Sequence, residues 1–395
     1  MRVKELKVRK IFDSRGNPTI EIELQGHNSK SFLASVPAGA SCGSLEASIF
    51  DFSAAKKSVL KIEKYVLGKN FSSVQQFDSV LLSLDPTSRK EKLGGNVILG
   101  CSIAFVRALA DEQKKAPWEV LRKEFFKGVQ ETRPLIFSNT INGGAHATNS
   151  LDIQEYMIIA RVKSTYAELT QELSSVYRLL GDLTKKKYNI SNLAIGDEGG
   201  YSYDFKDNLT PLTLLQRAVA KVRGGYTFRL GLDVAASEFY RSGAYHFGGK
   251  KLSTVELLAV YKDYFKRVPE LVSIEDHFSE DDENGFRQSK EKFPNKLIVG
   301  DDLTVTNPKR IEKLAHSISG VIIKPNQVGS VSEACASVNI ARKHGIKTIV
   351  SHRSGETNDA FIVHLAKAGG AYGLKIGVPI HERLDKFNEL IRLYD

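Results

Sequence analysis

Polar residues that close short apolar runs recur at nearly constant spacing: Glu275, Asp301, Lys324, His352 and Lys375 stand 26, 23, 28 and 23 residues apart. The runs before them are Leu271-Val-Ser-Ile, Leu297-Ile-Val-Gly, Val321-Ile-Ile, Thr348-Ile-Val-Ser and Tyr372-Gly-Leu. One strand and its crossover helix occupy about that length, so the spacing predicts successive parallel strands. Phe228-Arg-Leu-Gly-Leu, closed by Asp233, extends the series upstream. Helix signals fill the intervals. Ser253 and Glu256 form a capping box, and Asn307-Pro308 starts a helix with Ile311, Leu314, Ala315 and Ile318 on one face. Val331, Ala334, Val338 and Ala341 share another face that ends at Gly345. Side chains at the C-terminal ends of strands wound this way converge on one mouth, where such barrels carry out their chemistry.

A chain of 395 residues exceeds one ordinary core, and its first part reads differently. Ile20–Leu24 alternates like a half-buried strand and can pair with Ser31–Val36 across a turn at Gly26-His27-Asn28. Helical patterns follow, including a buried run from Val97 to Val106 and a Lys- and Glu-rich stretch from Ala110 to Lys127. Thr132-Arg-Pro134 breaks the pattern before Leu135-Ile-Phe137. The expected organisation is a smaller α+β domain over 1–130 and an α/β, TIM-like barrel over 131–395.

The amino terminus is charged and has no apolar core of a secretion signal. The longest apolar stretch is about half a membrane span. Cys42, Cys101 and Cys335 are far apart, which argues against disulfide or zinc frameworks and for the cytoplasm. A net charge of +10 raises nucleic acid as a partner, but the basic residues are dispersed among acids. A lysine-rich surface around an anion-binding enzyme accounts for it. Gly243–Gly249 lacks the lysine of a phosphate-binding loop and reads as a turn.

Asp233, Glu275 and Asp301 at neighbouring strand ends are hard oxygen donors suited to Mg²⁺. Arg353 and Ser354 offer a planar fork and a hydroxyl for phosphate. Lys324 and Lys375 are either bases or counter-charges to the carboxylates. Asn142-Gly-Gly-Ala-His146 and Gln154-Glu155 flank an expected mobile loop. Gly196-Asp-Glu-Gly-Gly200 offers Glu198 either as an exposed acid or as an ordinary turn residue.

Seven segments in order resemble enolase signatures. They are Phe12-Asp-Ser-Arg-Gly-Asn-Pro-Thr19, Val36-Pro-Ala-Gly-Ala-Ser41, Gly196-Asp-Glu-Gly-Gly200 and Ser273-Ile-Glu-Asp276, then Asp301-Asp-Leu-Thr-Val-Thr-Asn-Pro-Lys-Arg310, Lys324-Pro-Asn-Gln327 and Ser351-His-Arg-Ser-Gly-Glu-Thr357. The resemblance implies reversible dehydration of 2-phosphoglycerate to phosphoenolpyruvate with two Mg²⁺ ions. It implies Asp233, Glu275 and Asp301 on the first ion and Ser41 on the second. Lys324 would be the base at C2 and Glu198 the acid at the C3 hydroxyl, with Glu155 supporting the acid. Lys375 would neutralise the substrate carboxylate, Arg353 and Ser354 would hold phosphate, and His146 and His352 would line the pocket. It also implies a homodimer, with Arg9–Asp395 and Glu21–Arg392 as intersubunit pairs. His277, Glu283, Cys42 and the shortened Ile376–Arg383 segment around Ile380 depart from the family pattern.

Overall fold

The computed structural model describes residues 1–27, 29–39, 43, 45–222 and 228–395. Strands β1 (Val3–Phe12), β2 (Pro18–Gly26) and β3 (Ser31–Ser35) form an antiparallel sheet in that order. The β2–β3 pair matches the sequence expectation. Strand β1 had no counterpart there, because its outward positions are mostly Lys, Arg and Glu and only Val3 and Leu6 are buried. Helices α1 (Phe52–Val66), α2 (Val74–Leu84), α3 (Gly95–Glu112) and α4 (Pro117–Phe125) follow. The stretch expected to be helical from Ala110 to Lys127 is therefore broken. Lys114 adopts φ +54°, and Pro117 keeps Ala116 out of the helical region.

Helix α3 is buried on almost every side and lies on β2. A Cβ on Gly100 would come within 2.5 Å of Ile22 Cγ1 and 3.2 Å of Val36 Cγ2. Gly100→Ala gains helix propensity but overpacks this contact, and the steric term is the larger. The expected net loss is about 1–2 kcal/mol, read from urea midpoints.

The rest of the chain runs β4 (Leu135–Asn142), β5 (Glu155–Ala160), α5 (Tyr166–Tyr188), β6 (Ala194–Ile195), β7 (Tyr201–Ser202) and α6 (Thr210–Lys221). It continues with β8 (Phe228–Asp233), a small sheet of β9 (Tyr240–Arg241), β10 (Ala244–Phe247) and β11 (Lys250–Leu252), then α7 (Thr254–Arg267) and β12 (Leu271–Glu275). Next come α8 (Glu283–Lys292), β13 (Leu297–Gly300), α9 (Pro308–Lys313), β14 (Gly320–Ile323), α10 (Pro325–Val328) and α11 (Val331–Lys343). Strand β15 (Lys347–Ser351), α12 (Phe361–Gly369), β16 (Gly373–Gly377) and α13 (Leu384–Tyr394) complete it. Gly248 and Gly249, both at positive φ, make the turn between β10 and β11.

Strands β4, β5, β8, β12, β13, β14, β15 and β16 close into a barrel through the β16–β4 pairing. Strand β5 runs antiparallel to both neighbours, while the other barrel pairings are parallel. Its first residue, Glu155, is therefore delivered to the mouth where the other strands end. Glu155 is a buried strand residue at the flank of the segment expected to be a loop. Helix α9 also differs from expectation, since it stops at Lys313. Ala315 and Ser317 then donate to carbonyls three residues back, so Leu314 and Ile318 are buried from turns.

The departure at His277 is structural. Its ring is fully buried, with Tyr261, Phe278 and Phe286 centroids at 5.6, 4.7 and 4.8 Å. Neither ring nitrogen has a hydrogen-bond partner among the described residues. Burial lowers its pKa to about 3, so the fold holds the neutral ring. The unfolded chain takes a proton near pH 6.5, so the neutral ring's contribution to stability is complete above that pH and is lost as pH falls towards 3. His277→Leu removes the unpaired ring N–H and is expected to stabilise by about 1–3 kcal/mol near neutrality. Its advantage in melting temperature should widen between pH 6.5 and 4; a constant advantage would contradict burial of the neutral ring. Glu283, another departure, opens α8 and lies 3.1 Å from His316.

Candidate active site

The mouth collects the predicted strand-end residues around a cavity of about 50 Å³. Asp233 and Glu275 end β8 and β12, Asp301, Lys324 and His352 follow β13, β14 and β15, and Lys375 lies within β16. Parallel register puts Glu275 opposite Asp233 and Ser351 opposite Lys375. Asp233, Glu275 and Asp301 each offer a buried oxygen within 4.8 Å of the others. Lys375 Nζ lies 2.8 Å from Asp233 Oδ2, 2.8 Å from Glu275 Oε1 and 3.2 Å from Glu155 Oε2. Lys324 Nζ pairs with Asp301 Oδ2.

Charge crowding sets the proton affinities. Burial and Asp233 push the Glu275 carboxyl well above its usual range; burial and Glu198 do the same to Glu155. Burial opposes the Lys375 ammonium, but Asp233, Glu155 and Glu275 outweigh it and hold the lysine charged. Burial likewise opposes the Lys324 charge, but Asp301 prevails and raises its pKa. A cluster with this surplus of buried carboxylate suits a hard dication. The donors are all oxygen, with neither sulfur nor imidazole among the three, which fits Mg²⁺ better than zinc.

The second group is His146, Glu155 and Glu198. Glu198 sits in the turn between β6 and β7. It is buried, contrary to the exposed position expected, with Asn139 Nδ2 donating to it at 3.0 Å. Its glycines have a packing reason. A Cβ on Gly200 would lie 2.4 Å from Asn142 Oδ1, and Gly199 adopts φ +83°. His146 Nδ1 lies 3.6 Å from Glu198 and 3.7 Å from Glu155, and His352 Nε2 lies 3.6 Å from Glu198. Burial raises the Glu198 carboxyl, but His352, His146 and Arg383 together take it below the usual range. The two carboxyls of the pair are thus shifted in opposite directions, Glu155 up and Glu198 down.

Arg353 and Ser354 are buried at the same mouth. Arg353 makes a two-pronged contact with Glu46 at 3.0 and 3.2 Å and donates to Asn326 Oδ1 at 3.1 Å. The Ser354 carbonyl accepts from Arg383 at 3.0 Å, so the shortened segment after Ile380 buries its own arginine beside the site. Residues 38 and 355 exchange backbone hydrogen bonds at 2.9 and 3.0 Å, which ties the segment leading to Ser41 to the Arg353 loop. Ser41 and Cys42 themselves lie outside the described residues.

Three further acids belong to the site. Asp276, at φ +38°, accepts from the backbone N–H of Asp301 and Asp302 at 2.8 and 2.6 Å and so fixes the Asp301 carboxylate's backbone. Asp302 faces the cavity, and burial with Asp301 nearby raises its pKa to about 7. Both lie within the Ser273–Asp276 and Asp301–Arg310 segments, which is the signal the sequence offers for them. Glu46 is 307 residues from Arg353, and no local pattern announced it.

Comparison with known proteins agrees. The family model "Enolase, C-terminal TIM barrel domain" matches residues 130–395, and "Enolase, N-terminal domain" matches 3–121. The chain belongs to the enolase family. Enolase of Elusimicrobium minutum is 38% identical, with 99% of this chain and 95% of the relative covered. Enolase of Methanopyrus kandleri is 37% identical, with 99% and 95% covered, and Enolase 1 of Lactococcus lactis is 35% identical, with 99% and 96% covered. Among the described residues no helix is long and apolar enough to cross a membrane.

Proposed function

We propose that this mouth binds 2-phosphoglycerate and that its residues divide the work of forming phosphoenolpyruvate. As an enolase the chain is a hydro-lyase, and the observation that carries the residue roles is one cavity bounded by Asp233, Asp301, two lysines, the Glu155–Glu198 pair and Arg353, with Glu275 grouped beside Asp233 and Asp301. Lys324 takes the C2 proton, and Glu198 returns a proton to the departing C3 hydroxyl. Glu155 holds that proton beforehand, and an anionic substrate arriving next to Glu198 raises its affinity for it. His146 and His352 flank Glu198 and orient it. Lys375 balances the charge that develops on the substrate carboxylate. Arg353, pre-oriented by Glu46 and Asn326, grips phosphate with Ser354.

Asp233, Glu275 and Asp301 would hold one Mg²⁺, and Ser41 would belong to a second. Such ions supply Lewis acidity that spreads the negative charge of the carbanionic intermediate. Two buried free thiols, Cys101 and Cys335, support a reducing cytoplasm, and residues 1–130 and 131–395 are taken as the two domains. A homodimer is part of the reading, although the charged residues suggested for it have partners in their own chain. Arg9 reaches Glu21 at 3.1 Å, Arg392 reaches Glu389 at 2.8 Å, and Asp395 reaches Arg133 at 3.0 Å.

The test follows the ultraviolet absorbance of the product double bond as protein meets 2-phosphoglycerate. Absorbance should rise with Mg²⁺ and stop with EDTA. Folded, Mg²⁺-loaded protein that gives no signal would refute the reading.

A further inference from the structure

The opposite end of the barrel holds a larger cavity, about 570 Å³, at the strand ends away from the mouth. Arg161, Lys163, Arg229, Lys296 and Lys347 line it, and no carboxylate is among the described lining residues. These cations come from separate places in the chain. Arg161 and Lys163 follow β5, whose reversed direction brings its last residues to this face. Arg229 is the second residue of β8, Lys296 precedes β13, and Lys347 opens β15.

The floor is apolar. Leu135, Phe137, Ile159 and Leu297 line it and belong to a small core cluster separate from the main one. Lys347 Nζ sits 4.4 Å from the Tyr372 ring centroid, and Lys296 Nζ sits 4.9 Å from that of Phe265. Glu270, which acts on Lys296, accepts from Gln216 at 2.7 Å and is not among the described lining residues. Burial and the Arg229 charge lower the Lys296 pKa and outweigh the opposing pull of Glu270. Nothing in the dehydration reaction uses this end of the barrel.

We propose that this basin is a second ligand site, for a small organic polyphosphate whose apolar or planar body rests on the floor while its phosphoryl groups meet the five-cation rim. Like charges converging from five chain positions attract a polyanion from solution, and the low-dielectric floor strengthens that attraction. A bare polyphosphate would meet the rim but leave the floor uncovered.

The probes are ATP and inorganic tripolyphosphate. Each is titrated calorimetrically into the enzyme with excess Mg²⁺ and a saturating substrate–product mixture, so that the catalytic mouth is filled. The expected result is ATP binding that weakens with salt and is at least tenfold tighter than tripolyphosphate binding. The double variant Arg229→Ala/Lys347→Ala, altered at two exposed positions, should weaken ATP binding at least tenfold. Its kcat/KM for 2-phosphoglycerate should stay unchanged, and its melting temperature should report an intact fold. Equal binding of the two probes would overturn the organic class of ligand. Binding that is absent, or that survives the double substitution, would overturn the site.

Discussion

Lys324→Ala is expected to lower kcat on the order of 10³–10⁴-fold, the scale of a positioned proton-transfer group. The structure makes the result informative, because Lys324 has two possible jobs. Its pairing with Asp301 holds the ammonium charged, so a counter-charge role competes with a base role. Lys324→Arg separates them. Guanidinium keeps the positive charge beside Asp301 but cannot give up its proton in a protein. If Lys324 is the base, the arginine variant is as inactive as the alanine variant while keeping more of the wild-type melting temperature. Activity in the arginine variant within tenfold of wild type would reduce Lys324 to a counter-charge. Exchange of the C2 proton with deuterated solvent gives a second reading. It should disappear in both Lys324 variants and persist in Glu198→Gln, where the first proton still leaves but the hydroxyl does not.

The barrel was legible because its strands are buried on both faces. Continuous apolar runs such as Val321-Ile-Ile323 stand out against their helices, and their even spacing carries the topology. For the same reason the residues of the mouth are legible in the sequence, since the ends of parallel strands converge where the sheet closes into a barrel. What failed was information held by pairing and not by pattern. The reversal of β5 has no marker in Glu155–Ala160, whose residues are buried throughout whichever way the strand runs. Yet that reversal decides that Glu155 reaches the catalytic mouth and that Arg161 and Lys163 reach the far basin. Strand β1 escaped because a charged edge strand resembles a surface loop in composition. Glu198 read as exposed because glycines usually mark turns at the surface. Here Gly200 and Gly199 make room for the turn to press against Asn142 and Val378.

Replacing Lys375 by methionine is expected to cost both the reaction and much of the fold's stability. The ammonium lies within 3.2 Å of carboxylate oxygens from Asp233, Glu275 and Glu155, all buried. Removing the cation and leaving its partners is the costly way to break a buried ion cluster, about 3–5 kcal/mol. The site can soften that cost only by binding protons, and the pH dependence follows. Glu155 and Glu275 already have raised affinities, from burial with Glu198 and burial with Asp233 respectively, and losing Lys375 raises them further. A carboxyl whose folded pKa lies above its unfolded value favours the fold at low pH, and that contribution is lost as pH rises. The difference in melting temperature between wild type and Lys375→Met should therefore be larger at pH 8 than at pH 5. Added Mg²⁺ should recover more stability in the variant than it adds to the wild type, since the same oxygens then receive the charge they lack. Its kcat should remain on the order of 10²–10³-fold down even at saturating Mg²⁺, because the positive charge aimed at the developing anion is missing. A variant as stable as wild type at pH 8 would mean that the carboxylates are held by their other contacts, and Lys375 would then be needed for catalysis alone.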